Sequence, residues 1–547
     1  VIGSRPVNTG ILKKFLMFSR NLFSTVSISS NYSLADAVAW AVANGGGEIV
    51  VPVGTHAMSA NVTIPASCTL KFVPGAMIDT TGFTLTVNGT IDAGLYQIFT
   101  GSGTIALNQF KNNSIYPEWW GAIGDNSTDD TSAIQTCLNY FTNTSMSYYG
   151  DLIFTNKYKI TDALVIGKIS NKNIRGLSVS TTITQFTDDK AIFRLITPGV
   201  HDFIIDNLTL TWNTQQTSAH TASIGIEFND AAGSALSYYR FKISNMLISK
   251  CAYGTKITGT GQNPVWSMTM DRVLIIYPAI TGIHLVSPTS AGMPNNSFYD
   301  CMIWNETSAN SSFQIYLDAQ TGFQFVNMNM QGNAYKDMVR IVNSYGTFDG
   351  LHIENAVFNN PGSYCRAFFI SGGNVAIRNV NASPLTMTDG TWFGFVHGEF
   401  SGAAAKITLE NIKLNQSGGG IPLMYVCVGT VGESDVTIKQ IQHNLTSIVD
   451  EATTKRQNVH TTPIRSLQNV TFAEIAAGAY GTVALTVTGA LALDQAIASP
   501  PTALEAGLIL MPARVTAANT VTITLYNSTV GAITPAVAYW GIAVGKF

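Results

Sequence analysis

FIIDNLTLTW, residues 203–212, holds the pattern on which the fold turns. Apolar residues alternate with others, an Asn interrupts, and a second alternating segment follows. Period-two alternation marks a strand with one buried face. Asn tolerates the left-handed conformation of a tight turn and can bond a stacked neighbour. The pattern returns as FKISNMLISK from Phe241, MTMDRVLIIY from Met268, SFYDCMIWNE from Ser297 and FQFVNMNMQG from Phe323. It returns again as LHIENAVFNN from Leu351, VAIRNVNASP from Val375 and ITLENIKLNQ from Ile407. The period is degenerate, roughly 24 to 38 residues. The turn column reads Asn207, Asn245, Asn327, Asn355, Asn379 and Asn411, with Arg272 and Cys301 in its other places.

Between the anchors lies one further strand in each repeat: SIGIEF, GTKITG, TGIHLV, FQIYLD, DMVRIV and WFGFVH. Two anchor strands and this one make three strands per coil, the arithmetic of a parallel β-helix. Strand parity then assigns faces. Ile226 and Phe228 point in, so Glu227 points out, and the same alignment puts Thr258, His284, Tyr316, Arg340 and His397 outside. After the turn, the outward positions include Leu247, Leu274, Ile276, Ile303 and Val357, with Asn329 interrupting. A long aliphatic face in water is costly. Burial against identical neighbours around a three-fold axis removes that cost, which predicts a homotrimer.

Upstream, residues 33–59 and 128–161 share another pattern: a capped amphipathic helix, then glycine, then an alternating strand. In the first, Leu34, Val38, Ala41 and Val42 recur at helical spacing; in the second, Ala133, Ile134, Cys137, Leu138 and Phe141 do, with Thr128, Asp129 or Thr131 to cap. A helix laid across the open end of a strand stack would protect that end. Downstream of residue 461 the chain changes character. ARVTAANTVTITLYN alternates strictly, which predicts a compact antiparallel β-sandwich. The expected divisions are a linker (1–30), an N-terminal β region with a capping helix (31–115), the β-helix (116–428), a connector (429–460) and the C-terminal sandwich (461–547), for trimerisation or carbohydrate binding.

Composition agrees with an all-β chain. Of 547 residues only 12% are charged, and 48 are glycine. That mix suits short strands and many turns rather than helical bundles. The net charge is −3, and no basic block points to nucleic acid. The six cysteines are scattered without CxxC spacing, which predicts buried free thiols and no zinc site. No cofactor or metal is expected, and no apolar run near 18 residues predicts a membrane span.

YPEWWGAIGDNSTDDTSAIQTCLNYF, residues 116–141, resembles the entry motif of the pectate-lyase-like β-helix family, as found in phage tailspikes and capsule depolymerases. Asn126 stands where the family usually has glycine. GTIDAGLYQIFTGSGTIAL, residues 89–107, is also similar to tailspike chains. The resemblance implies a right-handed parallel β-helix trunk, trimers and polysaccharide substrates. It implies a virion-tail protein, assembled in the host cytoplasm and acting at the bacterial surface. Because the chain opens on Val1, attachment to the phage tail or baseplate is expected through a missing N-terminal region. The motif's own acids, Asp125, Asp129 and Asp130, read as caps of the helix that begins nearby rather than as a catalytic cluster.

Hydrolysis of a glycosidic bond needs two carboxyl groups. Beside the polar outward stripe the candidates are Glu227, Glu306 and Asp318, with His284, Tyr316, Arg340 and Thr258 to bind sugar. Asp206, Asp271, Asp300, Glu354 and Glu410, before the turn column, read as turn stabilisers. The leading expectation is an endo-glycosidase acting on capsular polysaccharide or exopolysaccharide. One alternative is a lyase, with His284, Tyr316 and Arg340 supplying base and charge neutralisation. Another is a non-catalytic polysaccharide-binding adhesin or fibre. No GxSxG elbow suggests an esterase.

Overall fold

A computed structural model describes residues 25–29, 32–107, 111–142, 150–196, 199–230, 238–259, 265–287, 292–305, 313–334, 337–359, 364–389, 392–399, 406–416, 424–429, 435–443, 447–449, 460–461, 464–488, 490, 494–500 and 504–545. The chain forms two compact units, Val1–Ala319 and Gln320–Phe547.

In the first unit, coils begin early. Gly47–Val51, Gly54–Ala57 and Val62–Ile64 are three successive strands, and each pairs in parallel with the strand one coil later: Cys68–Phe72, Ala76–Asp79 and Thr84–Val87. The helix Leu34–Ala43 precedes them. A capping box opens it: Ser33 Oγ accepts from Asp36 N–H (3.2 Å), and Ser33 N–H donates to Asp36 Oδ2 (3.1 Å). Its buried face is Leu34, Ala37 and Ala41, whereas Val42 is 54% exposed and lies off the expected stripe.

The second helix, Thr131–Phe141, buries Ile134, Cys137, Leu138 and Phe141. The acids before it form turns, and the expected side-chain cap from Thr128, Asp129 or Thr131 is not made: Asp130 holds the N-cap position, and its side chain makes no capping hydrogen bond to the helix. Asp129 Oδ1 accepts from Thr131 N–H (3.1 Å), Asp125 Oδ1 from Ser127 and Thr128 N–H, and Asp130 from Ile123 and Gly124 N–H. This helix closes a strand edge chemically. The strand Leu164–Ile166 pairs with Phe193–Leu195 one coil on. Toward the helix, Gln135 acts as a surrogate strand: its Nε2 donates to Val165 C=O (2.9 Å), and its Oε1 accepts from Val165 N–H (2.8 Å). Asn112 does the same for Ile91, at 2.8 and 2.7 Å. Gln135→Ala is therefore expected to destabilise the fold by about 1–2 kcal/mol, because two part-buried backbone groups lose their partners. Urea unfolding measures this, and Val165 should lose amide-exchange protection first.

Above the helix the coils stack in unbroken parallel register. Asp151–Phe154 pairs with Asn173–Gly176, that strand with Ile204–Asp206, and that with Tyr238–Ser249. Tyr238–Ser249 then pairs residue for residue with Val265–Ile276. The alternating inward residues fill the coil interior; Phe203 and Phe241 stack there with centroids 4.6 Å apart.

The turn column is left-handed at each coil, with φ of 57° at Asn207, 50° at Asn245, 51° at Arg272 and 52° at Asp300. The fourth member corrects the sequence expectation: Asp271 pairs with Tyr299, so Asp300, not Cys301, occupies the turn. Cys301 is buried. Slipping one residue flips every following side chain. Ile303, expected outside, points inward and is fully buried, while Met302 and Trp304 face out above Leu274 and Ile276.

In the second unit the coils continue with parallel partners from Gln320–Val326 to Asp435–His443. Val326 pairs with Asp349, and Asp349 with Arg378, so Asn327, Gly350 and Asn379 align in the turn column. Asn355 is also left-handed (φ 49°), but it sits within the strand His352–Asn359, one turn further round its coil. The C-terminal strands are antiparallel. Ile464–Val470, Ala538–Gly545, Gln495–Ser499, Arg514–Ala517, Thr520–Asn527 and Tyr480–Thr486 lie side by side in that order, and Leu508–Leu510 joins Thr520–Asn527. This seven-stranded sheet covers its own core, including Val470, Phe472, Leu485, Val521, Ile523, Leu525, Trp540 and Ile542. Five described cysteines, Cys68, Cys137, Cys251, Cys301 and Cys365, are buried free thiols.

Candidate functional site

The strands between the anchors put one side chain per coil on a common outward line. Arg194 pairs with Glu227, Glu227 with Lys256, Lys256 with His284, and His284 with Tyr316. Their neighbours along each strand, such as Ile226 and Phe228 or Ile283 and Leu285, are buried in the coil interior. Glu227, His284 and Tyr316 thus share a line, as parity predicts. Thr258 does not belong to it. Thr258 pairs with Asn229, and Lys256 holds the expected place. Within GTKITG the expected place slips by two residues, which keeps the face but puts Thr258 where Lys256 stands; Arg194 lies on a coil upstream of the repeat read from the sequence.

Glu227 points away from the interior, yet it is only 3% exposed. Its Oε2 accepts from Arg194 Nε (2.5 Å), and its Oε1 accepts from Thr258 Oγ1 (2.6 Å) and Asn229 Nδ2 (3.2 Å). Such a carboxylate fixes Arg194 and Thr258 in place. A substrate would reach it only by displacing one of them.

Above it, Lys256 Nζ lies 3.8 Å from the centroid of Tyr253. Burial lowers its pKa, and Glu227 works in the opposite direction. His284 is wedged edge-on between two tyrosines, with centroids 5.3 Å from Tyr253 and 5.2 Å from Tyr316. Its Nδ1 is buried with no hydrogen-bond partner among the described residues. Burial, then the charge of Lys256, push the imidazole down to about 4. At neutral pH it is an uncharged base. Tyr316 is half-buried, and Asp318, two residues on, stacks over Val286.

The register decides whether Glu227 and Asp318 form a carboxyl pair. Tyr316 stands three rungs above Glu227. Three rungs span ~14 Å, and Asp318 lies ~7 Å further along its strand. Glycosidase pairs stand about 5 to 9.5 Å apart. These two acids do not meet, which corrects the expectation for that pair. Glu306 lies outside the described residues.

The second unit has its own line. Arg340 pairs with Phe369, and Phe369 with His397. His397, expected outside, is only 3% exposed. Arg366 forks onto Asp337, with Nη2 donating to Oδ2 at 2.8 Å and Nε donating to Oδ1. Arg340 Nη1 lies 3.6 Å from the same carboxylate, and its guanidinium sits 4.6 Å from the Phe369 centroid. Asp337 and Arg366 are buried and escaped the sequence reading. Of the acids before the turn column, Asp206 accepts from Ser244 Oγ (2.7 Å) and Asn245 Nδ2 (2.9 Å). Asp271 binds Lys242 (2.7 Å) and Arg272 (3.2 Å). Both brace neighbouring coils.

Among the described residues, no group of three or more His, Cys, Asp or Glu could hold a metal ion, and no helix is long and apolar enough to cross a membrane. No protein-family model matches the chain, and no curated protein matches it. Several solved structures resemble it at low identity. The enzymatically active domain of tailspike protein 2 from bacteriophage CBA120 is 13% identical over 78% of this chain and 70% of that one, with a TM-score of 0.46. The DFA-IIIase of Arthrobacter chlorophenolicus A6 is 11% identical over 64% and 95%, with a TM-score of 0.44. The gp42 tailspike of Acinetobacter phage vb_AbaP_AS12 is 11% identical over 78% and 82%, with a TM-score of 0.40. The strand register itself carries the fold assignment.

Proposed function

We propose that the chain is a tailspike-type depolymerase that cuts an acidic bacterial surface polysaccharide by β-elimination at the line Lys256, His284 and Tyr316. One observation carries this reading: an uncharged, half-buried imidazole packs against Tyr316 with a lysine directly beneath it in register. Elimination at a uronic acid residue needs three things. A cation must neutralise the sugar carboxylate, a base must take the proton beside it, and an acid must protonate the departing glycosidic oxygen. Lys256 supplies the first and His284 the second. Tyr316, through its phenol, supplies the third. The C–H electron pair becomes the new C=C bond as the C–O bond breaks. Arg194 and Lys256 outnumber Glu227 by one charge, which favours a polyanion.

Hydrolysis is the second reading, favoured by Asp318, half-buried on the same outward face. It requires Glu306 as the partner acid. The amides separate the two. Under elimination, Glu306→Gln and Asp318→Asn keep turnover within a few-fold of wild type. A loss of several orders of magnitude in either would overturn elimination in favour of hydrolysis. Glu227→Gln is expected to act by loosening Arg194 and Thr258, raising KM more than it lowers kcat.

On this reading the protein works in a virion tail as a homotrimer. Leu247, Leu274, Met302, Ile276 and Trp304 form a half-buried apolar face on successive coils, and subunit contact there would remove them from water.

A further inference from the structure

The face of the C-terminal sheet turned away from its core carries a row of apolar side chains across three adjacent strands. Tyr480 pairs with Tyr526, and Tyr526 with Ile509, so the three stand side by side. Alternation turns them outward, because Leu485, Val521, Ile523 and Leu525 of the same strands are buried on the other side. Tyr480 is 64% exposed, Ile509 is 49% exposed and Tyr526 is half-buried. The two tyrosine rings pack with centroids 4.9 Å apart, inclined by 41°.

Hydroxyl groups stand beside the rings. Two residues along the strands, ~7 Å away, Thr482 pairs with Thr524. Met511, whose N–H donates to Thr524 C=O (2.9 Å), completes that second row. No charged side chain stands in either row; Arg514 enters only in the third, beside Thr522.

Size and chemistry together select the occupant. The exposed apolar strip is one side chain wide. Three partly covered side chains offer roughly a few hundred Å², whereas a stable subunit contact buries about 800 Å² on each partner. A linear chain fits a strip that narrow. Such a chain must present apolar surface to the rings and hydrogen-bonding groups to Thr482 and Thr524. A sugar ring has both, a C–H face and a hydroxyl rim. Two rows without charge suit uncharged sugars rather than uronic acids.

We propose that this strip is a non-catalytic carbohydrate-binding platform that holds uncharged sugar residues of the polymer. The proposal rests on the polysaccharide reading above, but on none of its catalytic residues.

The test compares the full-length wild type with the full-length Tyr480→Ala/Tyr526→Ala variant on a capsular polysaccharide that the wild type shortens. KM for the polymer is expected to rise roughly three- to tenfold with kcat unchanged, while both constants on short fragments keep their wild-type values. Tyr526→Phe, which keeps the ring, should match the wild type. If the double variant fails to fold, Tyr480→Ala alone, at an exposed position, should raise KM for the polymer about two- to threefold. An unaltered KM for the polymer would overturn the platform and leave the elimination reading standing. So would a change of oligomeric state, since the strip would then be a subunit contact. A wild type that is retarded in gels containing a surface polysaccharide but shortens none would sink elimination alone. The platform then stands if the double variant is retarded roughly three- to tenfold more weakly, and falls if it is not. A wild type that neither binds nor shortens any surface polysaccharide would overturn both.

Discussion

His284→Gln is expected to slow polysaccharide cleavage by roughly two to four orders of magnitude while leaving the circular dichroism spectrum unchanged. The size follows from what the side chain is asked to do. His284 sits within the outward line between Lys256 and Tyr316, half-buried, with its pKa lowered to about 4. Only the uncharged form can accept a proton, and that form is lost as pH falls through about 4. Wild-type kcat/KM should therefore stay level from neutral pH into the mildly acidic range and fall below it. Tyr316→Phe keeps the ring packed against His284 and removes only the hydroxyl; it should lower kcat with little change in KM. A His284→Gln enzyme within a few-fold of wild type would remove this residue from the chemistry.

Leu274→Asp and Ile303→Asp should fail in different ways, although the sequence pattern alone places both side chains outside. Ile303 is fully buried. A carboxyl group there loses the isoleucine's packing and finds no water, at a cost of at least about 4 kcal/mol. The expected outcome is an insoluble or protease-sensitive chain. Leu274 is half-buried and faces out beside Met302 and Leu247. Aspartate there should leave the secondary structure intact and convert the proposed trimer to monomers, as should Met302→Asp. Light scattering after size-exclusion chromatography distinguishes the cases. A Leu274→Asp protein that stays trimeric would reject this face as the subunit contact, and a well-folded Ile303→Asp protein would reject the register.

Much of this architecture was legible from residue types. Asn at the end of an alternating strand announces a left-handed turn, and Asn207, Asn245, Asn327, Asn379 and Asn411 all lie at such turns. The errors came where another residue took that role. Asp300 and Gly350 adopt the same conformation, the one by a short polar side chain and the other by having none. Reading Cys301 for Asp300 shifted one strand by a residue, which turned Ile303 outward on paper and hid Met302 and Trp304. The outward line of the candidate site was legible too, since parity needs no knowledge of neighbours. Burial was not. Glu227 is covered by Arg194 and Thr258, which lie 33 and 31 residues away in the chain and one rung away in space. The same stacking separates Glu227 from Asp318, because each rung advances the line by a fixed step however many residues the coil contains.

Purified capsular and O-antigen polysaccharides, incubated with the wild-type protein and sized by mass spectrometry with ultraviolet detection, test the whole account. It predicts shortened chains whose fragments carry no added water and absorb through a new carbon–carbon double bond. Fragments each heavier by one water, without that absorbance, would contradict elimination. Polymer of unchanged length across the panel would contradict depolymerisation itself.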